Sequence, residues 1–210
     1  KKDMVVKLAA GAYHQPPFYR ELRSFNGTVN TQVLAQKSYQ VVAGVDYNFK
    51  GFGNRPFRLS TEAYYKSMSS VDVYDIDNVK IRYAGNNNAK AYATGFEARL
   101  FGELVKDAES WFSIGIMQTK EDLDNDFYYQ YKNAAGEIIN AQSSDQVAVD
   151  SIKNNVGFVR RPTDRLITAG LSLEDYLTTN KNFKFHLNML YGSNMSYNIP
   201  NSTKYRNALV

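Results

Sequence analysis

The chain has no cysteine in its 210 residues, which excludes a disulfide framework and a cysteine-ligated zinc site. That fits an outer-membrane or periplasmic setting as readily as a cytoplasmic one. Long apolar runs are missing too. Lys7 interrupts even the first apolar segment, so nothing approaches the ~18 apolar residues of a membrane-spanning helix, although alternating barrel strands would escape that test. An excess of one charge is lacking: 25 Lys and Arg stand among 21 Asp and Glu, a net charge of only +4, with no basic run and no basic-aromatic ribonucleoprotein motif, so nucleic acid is not an expected partner. The only histidines, His14 and His186, lack Glu or Cys at ligand spacing. The runs Asp72, Asp75, Asp77 and Asp122, Asp124, Asp126 lack the Gly and distal Glu of an EF-hand loop and read as solvated loops. No metal or other cofactor is called for. Without a Gly-x-Ser-x-Gly elbow, a Walker loop or a His paired with a nucleophile, no enzyme activity is expected in this segment.

What the chain does have is aromatic rings, 16 Tyr and 12 Phe, and alternation. Tyr39, Val41, Ala43, Val45, Tyr47 and Phe49 take every odd position of one stretch, and Ser38, Gln40, Gly44, Asp46 and Asn48 take even ones, with Val42 the exception. A period of two reads as a strand. Small aliphatics occupy its middle and aromatics its ends, and ten steps of about 3.3 Å tilted roughly 45° rise about 23 Å, close to the apolar band of a membrane-spanning barrel strand.

The pattern recurs in six further stretches: Val6–Ala12, stopped by Pro16-Pro17; Phe57–Tyr65; Tyr92–Leu100; Phe112–Thr119; Ile167–Glu174; and Phe183–Gly192. The connections Lys50–Pro56 and Gly102–Ser110 and the Asn-rich turn before Phe183 are short. Those from Pro16 to about Val33, Ser67–Asn88 and Glu121–Arg160 are long and read as polar loops without sustained alternation, and the chain from Ser193 reads as loop. Long and short connections alternate, as in an up-and-down meander with short periplasmic turns and long external loops. Phe49, Phe57, Phe112 and Phe183 fall beside the short turns, and Tyr39, Tyr65, Tyr92 and Tyr191 fall toward the long loops, as two interfacial girdles would. The expectation is an all-β, antiparallel transmembrane barrel segment of about seven strands, in contact with outer-membrane lipid.

Candidate functional residues follow from that layout. Arg58, Glu62, Lys66, Glu97, Arg99, Glu174 and Lys184 share the predicted lumen face, where mixed charges can pair across strands. Tyr19, Arg20, Glu21, Arg160 and Arg161 lie in external loops, where ligand capture is plausible because loops on a rigid scaffold carry recognition. Lumen positions such as Asp46 are expected to tolerate Arg far better than the lipid-facing Ala43. The alternative is a soluble antiparallel sandwich whose Tyr-rich surface binds carbohydrate; it would pack each apolar face on a second sheet. A porin or an outer-membrane enzyme would share the barrel.

The runs Tyr13-His-Gln-Pro-Pro-Phe-Tyr-Arg-Glu-Leu22, Asn88-Ala-Lys-Ala-Tyr-Ala-Thr-Gly-Phe-Glu97, Arg161-Pro-Thr-Asp-Arg165 and Pro200-Asn-Ser-Thr-Lys-Tyr-Arg-Asn207 make most of the chain resemble the C-terminal barrel region of TonB-dependent outer-membrane receptors of the Bacteroidetes type. The resemblance implies energised uptake of a nutrient such as a siderophore, oligosaccharide or peptide. It also implies a plug domain inside the barrel and coupling to TonB through a segment upstream. On this reading residues 1–210 are part of one barrel domain. Seven strands do not close, since barrels of this kind have an even number. The natural product is therefore expected to carry further strands after Val210 and a plug, more barrel and an export signal before Lys1.

Overall fold

The computed structural model describes residues 3–77, 80–106, 108–177 and 180–195. Its strands are β1 (Met4–Gln15), β2 (Gln36–Gly51), β3 (Arg55–Val71), β4 (Tyr74–Asp77), β5 (Lys80–Tyr83), β6 (Ala89–Val105), β7 (Ala108–Leu123), β8 (Phe127–Lys132), β9 (Asp150–Asn155), β10 (Val159–Arg160), β11 (Ile167–Leu177) and β12 (Asn180–Gly192), with no helix among the described residues. The main sheet is an antiparallel meander ordered β1-β2-β3-β6-β7-β11-β12, with short β10 alongside β7. These seven long strands are the seven that the alternation predicts.

The register aligns like with like. Leu8 pairs with Ala43, Ala43 with Ala63, Ala63 with Phe96, Phe96 with Ile116 and Ile116 with Ile167, giving an apolar row across six strands. One residue along, Lys7, Gly44, Glu62, Glu97, Gly115 and Thr168 form the matching row on the other face. All six members of the apolar row are exposed. In β2 the contrast is direct: Tyr39, Val41 and Ala43 are exposed, whereas Ser38, Gly44 and Asp46 are buried. A one-sided soluble sheet does the reverse, covering its apolar face and wetting its polar one. No second layer of strands among the described residues packs on the apolar face.

The small apolar core is elsewhere. Val71, Val73, Ala89, Ala91 and Leu123 are buried together, flanked by Met68 and Ala84. Ala89, Ala91 and Leu123 share by alternation the face that carries Glu97 and Gly115. An irregularity between Met68 and Val71, with Ser70 at φ +54°, brings Val71 opposite Ala89. The core thus sits on the polar face at the end where the long connections emerge. At the opposite end β2 and β3 are joined through Phe52, Gly53 and Asn54, all left-handed, a conformation that Gly and Asn accept most readily. Beside that turn the Phe57 ring covers Gly102, where an added Cβ would lie 2.1 Å from ring carbon Cδ1.

Two expectations need correction. Ser67–Asn88 is not a plain loop: β3 runs on to Val71, and β4 and β5 form a hairpin. Glu121–Arg160 is likewise structured, because β7 continues to Leu123, β8 pairs with β9 and β10 returns to β7. The tight connections are also shorter than expected, since β6 reaches Val105 and β7 starts at Ala108. The residues from 196 onward, including Pro200–Asn207, lie outside the described residues.

Candidate functional site

Two regions concentrate polar chemistry. The first is the polar face of the main sheet, which borders an open recess of about 400 Å³ lined in part by Lys7, Arg58, Glu62, Glu97, Arg99 and Thr168. By register all seven residues assigned to this face from the sequence lie on it. Asp46 ties its first three strands together, accepting from Ser60 Oγ at 2.7 Å and pairing with Lys7 Nζ at 2.5 Å and Arg58 Nη2 at 2.8 Å. The tolerance to Arg expected at Asp46 therefore fails: an Arg there would remove the carboxylate that two cations share. Glu174 similarly pairs with Lys184 and with His186 Nδ1, the latter at 3.1 Å, while Arg99 lies over the Phe101 ring. Glu62 and Glu97 sit directly opposite each other, an arrangement that costs stability unless cations offset it.

The second region is the end carrying the long connections, which pack on one another. Asn30 donates to the Gly85 carbonyl at 2.9 Å, and Asn87 accepts from Leu34 N at 2.5 Å while donating to the Ser70 carbonyl at 2.7 Å. Tyr74 Oη lies 2.5 Å from Thr163 Oγ1. Carboxylates are buried among these contacts. Glu121 pairs with Arg161 at 3.0 Å, and Asp164 accepts the Thr119 N–H at 2.7 Å. Asp72, only 1% exposed, accepts the N–H groups of Gly85 at 3.0 Å and Asn86 at 3.1 Å. Burial is the main cause pushing its carboxyl up to about 6, aided by the nearby Glu21 charge and opposed by those two N–H donors.

Of the residues assigned to ligand capture, two turn inward. Glu21 is buried and reaches back to accept the Phe18 N–H at 2.7 Å, closing the turn Phe18–Glu21. Arg161 is held against Glu121 and over the Tyr74 ring at 5.0 Å. Arg160 is half-exposed, 3.7 Å from Asp164. Tyr19 and Arg20 remain exposed, and they do not meet Arg160 and Arg161 in one site. They line instead a cavity of about 640 Å³ with Arg23, Phe25, Lys80, Ile81, Arg82 and Tyr83. The last four belong to β5, which the sequence reading passed over; its signal was the cation-apolar alternation of Lys80-Ile-Arg-Tyr83. Among the described residues no three potential ligands cluster as a metal site would need. No family model, curated protein or solved structure matches the chain.

Proposed function

We propose that the chain is a wall segment of a TonB-dependent outer-membrane receptor, in which the apolar rows face lipid, the charged face lines the lumen against a plug, and the long connections receive a nutrient outside the cell. The observation that carries this reading is the uncovered apolar row: six apolar side chains in register across six strands are exposed, while the covered residues of β2, Ser38, Gly44 and Asp46, lie on the opposite, polar face. Water on an apolar surface of that extent would be costly, at about 25 cal/mol per Å², and exposed patches of such size mark membrane or interaction surfaces. Lipid as the neighbour removes the cost, and the aromatics at both ends of the rows suit its two interfaces. The carbohydrate-binding sandwich is the less favoured reading, because it needs a second sheet on the apolar face.

Separation of the membranes of the native host tests the proposal. The protein is expected in the outer-membrane fraction, released only by detergent. Recovery as a folded protein in the aqueous fraction, without detergent, would refute it.

A further inference from the structure

We infer that the cleft between the Phe18–Arg23 turn and β5 is a capture site for a small anionic nutrient, one that carries carboxylate or phosphate groups beside a flat or apolar portion. Four cations, Arg20, Arg23, Lys80 and Arg82, line this one cavity of about 640 Å³, and no carboxylate among the described residues lines it. The volume is within the range of sites that hold a small organic ligand. Like charges gathered in one recess repel, and a ligand of opposite charge relieves that repulsion.

The local chain is built to present these groups. Glu21 spends its carboxylate on the Phe18 N–H, so the only acid in the turn is withdrawn from the cleft, while neighbouring Tyr19 and Arg20 stay exposed. Arg23 donates to Tyr19 Oη at 3.1 Å and stacks over its ring, which fixes a guanidinium plane beside an aromatic wall. Ser24, Asn26 and Thr28 are cross-bonded just behind it, with Asn26 accepting from Ser24 Oγ at 2.5 Å and from Thr28 Oγ1 at 2.7 Å. Across the cleft, Arg82 donates to the Phe25 carbonyl at 3.3 Å and joins the two walls. Asp75 stands opposite Arg82 in the hairpin and accepts the adjacent Ile76 N–H at 2.7 Å. Arg20 and Lys80 make no ion pair with any carboxylate whose side chain is described, which leaves them the cations most open to a ligand.

The inference rests on the transporter reading for its biological sense, but its test does not. The protein, purified with or without detergent as its fractionation requires and shown to be folded by circular dichroism and a cooperative thermal melt, is titrated calorimetrically with three probes. Benzene-1,3,5-tricarboxylate supplies a flat polycarboxylate, pyrophosphate supplies phosphate charge alone, and benzene-1,3,5-trimethanol is the neutral match. Binding of at least one anion, weakened by added salt, is expected, and no binding of the neutral probe. The double variant Arg20→Gln, Lys80→Gln should weaken anion binding at least tenfold. The variant Lys50→Gln, Lys132→Gln makes the same change in net charge at two lysines that do not line the cleft, Lys50 being at the opposite end of the sheet, and should leave it unchanged. A strong preference for the tricarboxylate assigns a carboxylate-bearing ligand, and a preference for pyrophosphate a phosphorylated one. Failure of both anions to bind the folded protein at 10 mM, equal effects of the two double variants, or equal binding of the neutral probe would overturn the inference. None of these results alters where the protein fractionates, so the transporter reading stands or falls separately.

Discussion

Substituting Ala43 by Arg places a cation in the middle of the exposed apolar row formed with Leu8, Ala63, Phe96, Ile116 and Ile167. In strand order Ala43 is about midway between Tyr39 and the stacked pair Tyr47 and Phe49, so on the proposed reading it lies near the bilayer midplane. A cation on the lipid face at that depth costs about 2 to 4 kcal/mol, falling to about 1 or less near the interfaces. At 1.4 kcal/mol per tenfold, the folding equilibrium drops roughly 30- to 700-fold. The control is Asn48→Arg in the same strand. Asn48 is exposed on the polar face, and Arg58 is its cross-strand neighbour, so the cost there is like-charge repulsion of a few tenths of a kcal/mol, on the order of a cross-strand pair. Urea unfolding of both variants from lipid vesicles, followed by gel mobility, reads the difference. The reasoning is refuted if the two variants lose equal stability, or if Asn48→Arg is the worse.

Three further outcomes are expected. Gly102→Ala, which puts a Cβ 2.1 Å from the Phe57 ring, should cost roughly 1 to 3 kcal/mol as an overpacked contact; in a double-mutant cycle with Phe57→Ala most of that loss should disappear, and additive effects would contradict the contact. The Asp72 carboxyl is raised by burial to about 6 in the folded state from its ordinary 3.8, so the folded state binds the extra proton between those values and stability falls as pH rises through that window. Asp72→Asn should flatten the fall in a pH series of thermal melts, and an unchanged slope would rule Asp72 out as its source. In intact cells, added protease should cut between β8 and β9, where residues 134–138 are exposed. Cleavage at the Phe52–Asn54 turn instead would invert the topology.

The seven long strands were legible because each carries apolar side chains on one face and polar ones on the other, so the same period of two recurs in every one of them. Their ends were not, since β2 begins at Gln36 and β3 runs on to Val71, past the apolar band into residues that pairing, not an apolar face, holds extended. The hairpins escaped for a related reason. β4 and β5 are four residues each, shorter than any window in which alternation stands out, and in β8 the exposed Tyr128 on the second face masks the row Phe127, Tyr129, Tyr131. The charged face was readable by counting along strands, because register follows from the turns. The loop residues were not: whether Glu21 and Arg161 point to solvent or to Phe18 N–H and Glu121 depends on contacts between segments far apart in sequence. The same is true of Lys80 and Arg82, which only tertiary packing brings beside Arg20 and Arg23.

The central claim is that the odd and even faces of these strands meet different media. The chain has no cysteine, so single cysteines at Val41, Ala43, Val45, Ala63 and Ile114 on one face, and at Val42, Asn48 and Ser113 on the other, can carry a nitroxide in vesicle-reconstituted protein. Collision rates with oxygen, which concentrates in lipid, and with a water-soluble nickel chelate then identify the medium at each site. The account predicts oxygen-dominated collisions at the first set, with Ala43 deeper than Val41, and none of that preference at the second. Nickel access at both sets, or loss of access to both reagents along the apolar row, would contradict it.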